Sequence, residues 1–345
     1  MITITDLFND PQRIPFTDLI LKEDPSTGLQ AIIAIHSTKL GPALGGCRFI
    51  EYPDTQSAII DALRLAKGMS YKSAISGLDF GGGKAVIIKP HHNFDRIALF
   101  HAFGKMVAEL QGRYITAKDS GSTLDDMDTI AKETRYVAST SVMSDPSPYT
   151  AHGVLRGMEA ALLHEKGHSD LSDLTIAIQG VGYVGYFLAK ELHERGAKLI
   201  VADIDANATL RCQIEFGAQI VDSKFIHQMP CDIFSPCALG GILNDETIPA
   251  LNTKIIAGAA NNQLESSAHG DALRARGILY APDYLINAGG LIQATAKYQH
   301  ASDTLAKEKI HNIYLALLDV FKRADALNLS THTVADHIAE ERLAA

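Results

Sequence analysis

Two lysines, Lys72 and Lys84, are the residues of this chain best placed to do chemistry. They are joined by a short apolar segment and three consecutive glycines, which end directly before Lys84. A glycine run weakens a chain unless the backbone must approach another group closely or adopt a positive φ. The next residues, AVIIK (85–89), predict a short buried strand, so Lys84 would lie where the glycines end and a rigid strand begins. A lone lysine is most often a solvated surface residue, but this setting favours a function.

Two lysines that face one cleft predict carboxylate binding and proton transfer. One ammonium group would bind a small carboxylate, and the other amine would exchange protons. Burial and a neighbouring cation both favour the neutral amine that such a role requires. Asp119 follows the predicted strand 113–118 and is placed to move a second proton, although an aspartate there is also an ordinary turn residue.

Predicted helices position these groups. The segment 55–72 has apolar side chains at helical intervals, which places Lys72 just past a helix end. A second helix is predicted from 94 to about 110, and Ser122 or Thr123 is expected to cap a third helix with an acidic first turn.

A glycine-rich segment precedes these helices. Residues 30–37 predict a strand, and LGPALGGCRF (40–49) carries paired glycines at Gly45 and Gly46. Their bare N–H groups are available to an anion, but a loop before a strand explains the segment equally well.

Composition bounds the class of protein. The chain has 345 residues, enough for two domains, and a net charge of −9, which argues against a nucleic-acid partner. No apolar run approaches the ~20 residues of a membrane span, and the first ten residues lack a signal-peptide pattern. The four cysteines lack metal-ligand spacing. We therefore expect a cytoplasmic protein with reduced thiols, no structural metal and no membrane contact.

A second chemical signal spans 174–205. A predicted buried strand at 174–179 is followed by a glycine motif, a helix to about Arg195 and a second strand that ends at Asp203, 23 residues after the first glycine. This is the context that a dinucleotide-binding GxGxxG motif needs. The predicted cofactor-binding residues of the motif are Gly180, Val181, Gly182, Tyr183, Val184 and Gly185.

The glycines of this motif have separate expected functions. Gly180 would make the turn, Gly182 would admit the pyrophosphate, and Gly185 would let the helix pack on the strand. The helix N-terminus would bind the phosphates. Asp203 would accept hydrogen bonds from the ribose hydroxyls and repel a 2′-phosphate, which favours NAD over NADP. The alternative is a Rossmann-like domain that has lost its ligand.

The rest of the second half predicts a doubly wound α/β sheet. The segment 144–153, rich in proline and small polar residues, suits a hinge between domains, and a helix is predicted at 154–166. Further strands are expected at 232–235, 254–257 and 278–281. GAANNQL (258–264) follows one of them, at the strand end where such sheets bind ligands. Asn261 and Asn262 are candidates there.

An NAD site, two lysines, an aspartate and a glycine-rich loop together fit one reaction type. Hydride transfer from a small amino acid, followed by loss of ammonia and entry of water, needs several proton transfers, which these groups are suited to perform.

Several blocks carry a resemblance to a known family. In chain order they are LGPALGG, DALRLAKGMSYK, GGGKAVI, DPSPYTAHGV, GVGYVG, PCALGG, GAANNQL and YAPDYLINAGG. Over nearly its whole length the chain resembles the Glu/Leu/Phe/Val dehydrogenase family, and most closely its leucine dehydrogenase branch.

The resemblance implies roles by position. Lys84 matches the catalytic lysine and Asp119 the catalytic aspartate, while Lys72, with Gly46, matches the site that binds the substrate carboxylate. The remaining implied contacts are Thr150, Ala259 and Asn261 with the cofactor, and Met69 and Asn262 with the substrate.

The resemblance also implies an architecture. An α/β substrate and oligomerisation domain (1–147) would precede a Rossmann-type NAD-binding domain (148–327), with a C-terminal helix (328–345) returning to the first. A cleft between the domains and a homo-oligomer, from dimer to octamer, are implied as well.

Substrate choice can be argued from Leu44. Glutamate dehydrogenases have a lysine there that pairs with the side-chain carboxylate, and burying that carboxylate against leucine would be unfavourable. An apolar L-amino acid is therefore expected, leucine foremost, with isoleucine and valine also accepted because one methylene discriminates weakly. The pocket candidates are Leu44, Ala117, Leu291 and Ala294.

Departures from the family pattern leave the substrate open. They are Cys47, Lys118 and the stretch 291–297 after the NAGG turn, and they leave phenylalanine or tryptophan as possible substrates. A non-catalytic NAD-binding relative is a second hypothesis. A hydroxyacid dehydrogenase is a third, although no His–acid pair stands out in the sequence.

Overall fold

The computed structural model describes residues 14–142 and 145–345. The expectation about a signal peptide concerns the first ten residues and lies outside this range, as does Ser144 in the expected hinge. The described residues form two compact units. One comprises 14–142, 297–299 and 339–345, and the other comprises 145–296 and 300–338.

The first unit is built on a five-stranded mixed sheet in the order β1-β2-β4-β3-β5. β2 is antiparallel to β1 and β4, whereas β3 is parallel to β4 and β5. The strands are β1 (Asp18–Asp24), β2 (Leu29–Ser37), β3 (Ala43–Ile50), β4 (Gly81–Ile88) and β5 (Tyr114–Lys118).

Helices cover both faces of this sheet. The helices are α1 (Thr55–Ile75), α2 (Arg96–Glu109) and α3 (Leu124–Ala131). α1 packs small side chains such as Ala62 and Ala66 on Ala34 and Val86. The opposite face forms a larger apolar core with residues of α2 and α3. Thr123 caps α3 in a capping box with Asp126, as the sequence predicts.

The second unit contains a six-stranded sheet in the order β8-β7-β6-β9-β10-β11, and all of its strand pairs are parallel. This is the 3-2-1-4-5-6 order of a Rossmann fold. The strands are β6 (Thr175–Gln179), β7 (Lys198–Ala202), β8 (Gln219–Ile220), β9 (Ile233–Pro236), β10 (Ile255–Ile256) and β11 (Leu279–Tyr280).

Eight further helices follow along the described chain. They are α4 (Ser147–Lys166), α5 (Tyr183–Glu194), α6 (Ala206–Phe216), α7 (Ala268–Ala275), α8 (Asp283–Ile286), α9 (Gly289–Tyr298), α10 (Asp303–Leu327) and α11 (Thr331–Ala344), with short 3₁₀ turns at Ile226–Gln228 and Ile248–Ala250. At the end of α11, Glu340 accepts a hydrogen bond of 2.5 Å from the Tyr71 hydroxyl of α1.

Several predicted boundaries are wrong. Lys72 lies in the last turn of α1 rather than past its end, and β4 begins at the first of the three glycines. The glycine pair at 45–46 lies inside β3 and not in a loop. Most of the expected hinge is helical, because α4 begins at Ser147. At the glycines, close approach of neighbouring groups accompanies the continuation of a strand through residues that are poor strand formers.

Two further observations concern the expected class of protein. Within the described part of the chain, no helix combines the length and apolar character that crossing a membrane requires. All four cysteines are unpaired thiols.

Candidate active site

Lys84 and Asp119 form a buried ion pair in the first unit. Lys84 lies on β4 and is 4% exposed, and its Nζ donates to Asp119 Oδ2. Asp119 directly follows β5. The strands β4, β3 and β5 are parallel neighbours in one sheet, with β3 in the middle. The sheet therefore holds Lys84 on β4 and Asp119 after β5 two strands apart.

The glycine run before Lys84 exists because three other groups approach its backbone closely. A Cβ on Gly81 would lie 1.9 Å from the Ser37 carbonyl oxygen, and one on Gly82 would lie 2.1 Å from the Ser70 amide nitrogen of α1. A Cβ on Gly83 would lie 2.8 Å from the Tyr114 ring. Close approach, rather than positive φ, therefore explains the motif.

The charge state of Asp119 is set by its surroundings. Burial raises the pKa of Asp119, but the Lys84 ammonium, the Ser120 N–H and the Arg48 guanidinium together bring it below its usual value. The Ser120 N–H donates to Asp119 Oδ1 at 2.7 Å. The pair therefore rests as a carboxylate beside an ammonium group, and Lys84 must pass on its proton before it acts as a base.

Arg48 contacts this pair and is a residue that the sequence argument missed. Its Nε lies 3.3 Å from Asp119 Oδ1, and its Nη1 donates to Asp61 Oδ2 of α1 at 2.8 Å. The Tyr52 hydroxyl donates to the same Asp61 oxygen at 2.5 Å. An arginine inside a strand of apolar residues and glycines was the signal available in the sequence.

The glycine pair of β3 lies against the ion pair. A Cβ on Gly46 would be 2.7 Å from Asp119 Oδ2, so only glycine admits the carboxylate here. The β3–β4 ladder is interrupted at the glycines and resumes at Cys47, which pairs with Ala85. The buried Tyr114 hydroxyl donates to the Gly45 carbonyl at 2.6 Å. This hydrogen bond fixes the peptide group between Gly45 and Gly46, whose N–H is that of Gly46.

The predicted substrate residues of the first unit lie on β3, β5 and α1. Leu44 is 1% exposed and pairs with Gly82 on one side and Ile115 on the other. Gly46 pairs with Ala117 on β5. On α1, Met69 and Lys72 are half-buried. Their binding roles stay predictions.

The dinucleotide motif of the second unit has the expected local geometry. Gly180 has φ +93°, and a Cβ there would meet Ala238 at 2.8 Å. A Cβ on Gly182 would meet no atom within 4 Å, and one on Gly185 would lie 2.0 Å from the Gly180 carbonyl oxygen. Open space at the N-terminus of α5 fits a pyrophosphate. The motif follows β6, where the strand order reverses.

The flanking motif residues differ in exposure. Val181 is buried, Tyr183 is 81% exposed and Val184 is half-buried. Asp203 follows β7, and its Oδ2 accepts the Val181 N–H at 2.7 Å. Its second oxygen accepts the Asp205 N–H at 3.0 Å. The carboxylate is thus anchored to the glycine loop, which fits a ribose-binding group.

The loop after β10 is fixed by a residue that the sequence argument did not name. Asn287 donates to the Ala259 carbonyl at 3.1 Å and to Asn261 Oδ1 at 2.7 Å. Asn262 is exposed and has φ +52°. These contacts present the loop at the carboxyl ends of the strands.

Thr150 lies in the first turn of α4 and packs against the start of α9. A Cβ on Gly290 would be 2.6 Å from Thr150 Oγ1, so the NAGG glycines allow α4 and α9 to approach closely. Leu291 and Ala294 are half-buried on α9. No group of three His, Cys, Asp or Glu side chains within the described residues is arranged to hold a metal ion.

Comparison with known proteins identifies the family. A family model described as "Glu/Leu/Phe/Val dehydrogenase, dimerisation domain" matches residues 11–136, and one described as "Glutamate/Leucine/Phenylalanine/Valine dehydrogenase" matches residues 208–315. A leucine dehydrogenase of Geobacillus stearothermophilus is 48% identical over 342 residues, covering 98% of this chain and 93% of the relative.

Two further relatives carry other names. A phenylalanine dehydrogenase of Bacillus thermotolerans is 45% identical over 352 residues, covering 99% of this chain and 91% of the relative. The crystal structure of L-tryptophan dehydrogenase from Nostoc punctiforme has a TM-score of 0.88 at 41% identity and covers 96% of both chains. The chain therefore belongs to the Glu/Leu/Phe/Val dehydrogenase family.

Proposed function

We propose that this protein catalyses the reversible, NAD-dependent oxidative deamination of an apolar L-amino acid, leucine foremost, to the 2-oxo acid, ammonia and NADH. The observation that carries the proposal is the buried Lys84–Asp119 ion pair beside Gly46, in a chain that also contains a Rossmann fold with an intact glycine motif. Membership of the family makes the protein an amino-acid dehydrogenase.

The first unit would bind the amino acid and move protons. Lys72 and the Gly46 N–H would hold the substrate carboxylate, which fixes the α-carbon beside Lys84. When bound, NAD⁺ supplies the hydride acceptor. Lys84 would then take a proton from the water that adds to the imino carbon, and Asp119 would deliver a proton to the departing amine.

The buried pair suits this exchange of protons. Asp119 accepts the hydrogen bond of the Lys84 ammonium in the resting state, so the proton that Lys84 must lose already has an acceptor. Because Lys84 lies inside β4 and Asp119 packs against Gly46 directly after β5, neither group needs to move far during the reaction.

The second unit would hold NAD. The open space at Gly182 and the anchored Asp203 carboxylate support pyrophosphate and ribose binding. Thr150, Ala259 and Asn261 would lie near the nicotinamide ring. A negative charge at Asp203 disfavours the 2′-phosphate of NADP, so NAD is the expected cofactor.

The substrate side chain is expected to be apolar. Leu44 offers no charge to a glutamate side chain, and burying a carboxylate against this leucine without a partner would be unfavourable. Ala117, Leu291 and Ala294 are small or apolar as well. Relatives named as phenylalanine and tryptophan dehydrogenases keep these two amino acids as alternative substrates. Valine is a further alternative, because the family description names valine dehydrogenase.

Assembly and location are also part of the proposal. The first half matches a model named for a dimerisation domain, which supports a homo-oligomer. Light scattering on the purified protein would measure its mass against the 37.2 kDa chain. A cytoplasmic location stays a prediction.

The test of the proposal is NADH formation with a panel of L-amino acids comprising Leu, Ile, Val, Phe, Trp and Glu. Turnover with the branched-chain set supports the proposal, and a preference for Phe or Trp keeps the reaction but overturns the pocket argument. If no amino acid of the panel supports NADH formation while NAD still binds, a non-catalytic relative is favoured.

A variant pair tests the role of Lys84. Lys84→Ala should abolish turnover while NAD still binds. Lys89→Ala is the matched control, because Lys89 ends the same segment with a 43% exposed side chain paired to Glu51. Near-normal activity of Lys84→Ala would remove this residue from its proposed role.

A further inference from the structure

We infer that Arg48 is a positioning residue for the proposed reaction: Asp61 anchors its guanidinium, which holds the Asp119 carboxylate in one orientation against Lys84. The inference rests on the proposed function, because it concerns how the proposed proton-transfer group is kept in place. In this role Arg48 acts through Asp119 and not on the substrate.

The geometry is that of a clamp with two ends. One end is Arg48 Nε, at 3.3 Å from Asp119 Oδ1, and the other is Nη1, at 2.8 Å from Asp61 Oδ2. A guanidinium is planar and rigid, so fixing one edge fixes the direction of the other. The carboxylate of Asp119 is thereby held through Oδ1 while its Oδ2 faces Lys84.

The anchor is itself held from a different element. Asp61 belongs to α1, and the Tyr52 hydroxyl donates to its Oδ2 at 2.5 Å. Arg48 is 23% exposed and Asp61 28% exposed at their side chains. A pair at this depth is screened less than a surface pair, which favours a fixed geometry.

The clamp also joins the two parts of the proposed site. α1 carries Asp61 and, three turns later, Lys72, whereas Arg48 and Asp119 belong to β3 and to the end of β5. A shift of α1 relative to the sheet would therefore move the carboxylate that faces Lys84. An Arg–Asp pair that served only stability would not need to end on this carboxylate.

Chemical rescue tests the inference. Arg48→Ala should lower kcat about 100-fold, the loss associated with a misplacement of about 1 Å, with the KM for NAD nearly unchanged. Guanidinium ion at millimolar concentration should restore at least about tenfold of kcat in a saturable way, since the vacated site retains Asp61 and Asp119. The double variant Arg48→Ala/Asp61→Asn should lose this rescue.

Controls separate positioning from folding. Arg113→Ala removes a 54% exposed arginine that pairs with Asp18 in the same unit, and it should neither lose activity nor respond to guanidinium. A folded Arg48→Ala variant with normal kcat, or with a loss that guanidinium does not repair, would overturn the inference.

Two further measurements keep the test decisive. If Arg48→Ala does not fold, Arg48→Lys replaces it. An ammonium group is a point charge with rotatable donors and lacks the rigid planar fork that sets the direction of both contacts, so kcat should fall at least about tenfold, and a wild-type kcat would refute the clamp. If the wild-type protein turns over no amino acid, the proposed function has failed. The ¹³C-carboxyl signal of Asp119 then tests the clamp separately, since it should shift in Arg48→Ala and return with guanidinium.

Discussion

Replacing Gly46 with alanine would place a methyl group against the carboxylate of the proposed catalytic pair. The new Cβ would lie 2.7 Å from Asp119 Oδ2, 2.8 Å from Asp119 Cβ and 3.0 Å from the Lys118 carbonyl oxygen. Ordinary contact begins at 3.4 Å, so Asp119 must retreat by about 0.7 Å, by steric exclusion at its shortest contact. That movement is away from β3 and breaks the alignment with Lys84.

The expected result is a large loss of turnover with a modest loss of stability. A misplacement of about 1 Å lowers rates by as much as about 100-fold, so kcat for Gly46→Ala should fall by roughly 30- to 100-fold. Overpacking should lower the free energy of unfolding by about 1–3 kcal/mol. The KM for NAD should not change, because the cofactor motif belongs to the second unit.

The assay is steady-state NADH formation over a range of amino-acid and NAD concentrations, with urea unfolding in parallel. Gly68→Ala is the control: Gly68 lies within α1, a Cβ there meets nothing within 4 Å, and alanine should stabilise the helix by about 0.5–1 kcal/mol without loss of activity. A kcat of Gly46→Ala within threefold of the wild type would refute the steric argument.

Three more predictions concern stability and cofactor choice. Tyr114→Phe leaves the buried Gly45 carbonyl without its 2.6 Å donor and should lower the unfolding free energy by about 1–3 kcal/mol; an unchanged value in urea would contradict this. Burial, aided by the Lys67 charge, lowers the pKa of His36 to about 4 from 6.5, so the folded state binds fewer protons and stability should fall as pH drops from about 6.5 toward 4. His36→Gln should flatten that part of the urea-midpoint profile, and a profile as steep as the wild type's would assign the loss to other groups. Asp203→Asn removes the charge but keeps an acceptor oxygen, so the ratio of kcat/KM for NADP to that for NAD should rise several-fold; a constant ratio would show that another group rejects the 2′-phosphate.

Much of the site follows from short stretches of sequence. The motif at 180–185, with a strand before it and Asp203 after the next strand, predicted the Rossmann unit because each requirement is local: a positive φ, an open amide and a close helix–strand contact. Lys84 and Asp119 were singled out by residue type and by their neighbours. Their meeting in one ion pair follows from the parallel order of three strands, which the sequence alone did not supply.

The glycines illustrate the limit of local reasoning. Glycine is a poor strand former, so the glycines at 45–46 and 81–83 were predicted to precede or interrupt strands. In the structure they lie inside β3 and β4, because groups from α1, β2 and β5 approach too closely for any side chain. Packing between elements overrides the preference of the residues themselves.

Only the tertiary structure decided which residues contact Asp119. Its contacts with Lys84 and Arg48 join residues 35 and 71 positions apart along the chain, and Asp61 enters from a helix. Such contacts depend on strand order, on register and on how deeply α1 packs against the sheet, none of which is encoded within a local window. The sequence by itself determined the chemical groups, and the fold determined which carboxylate each cation holds.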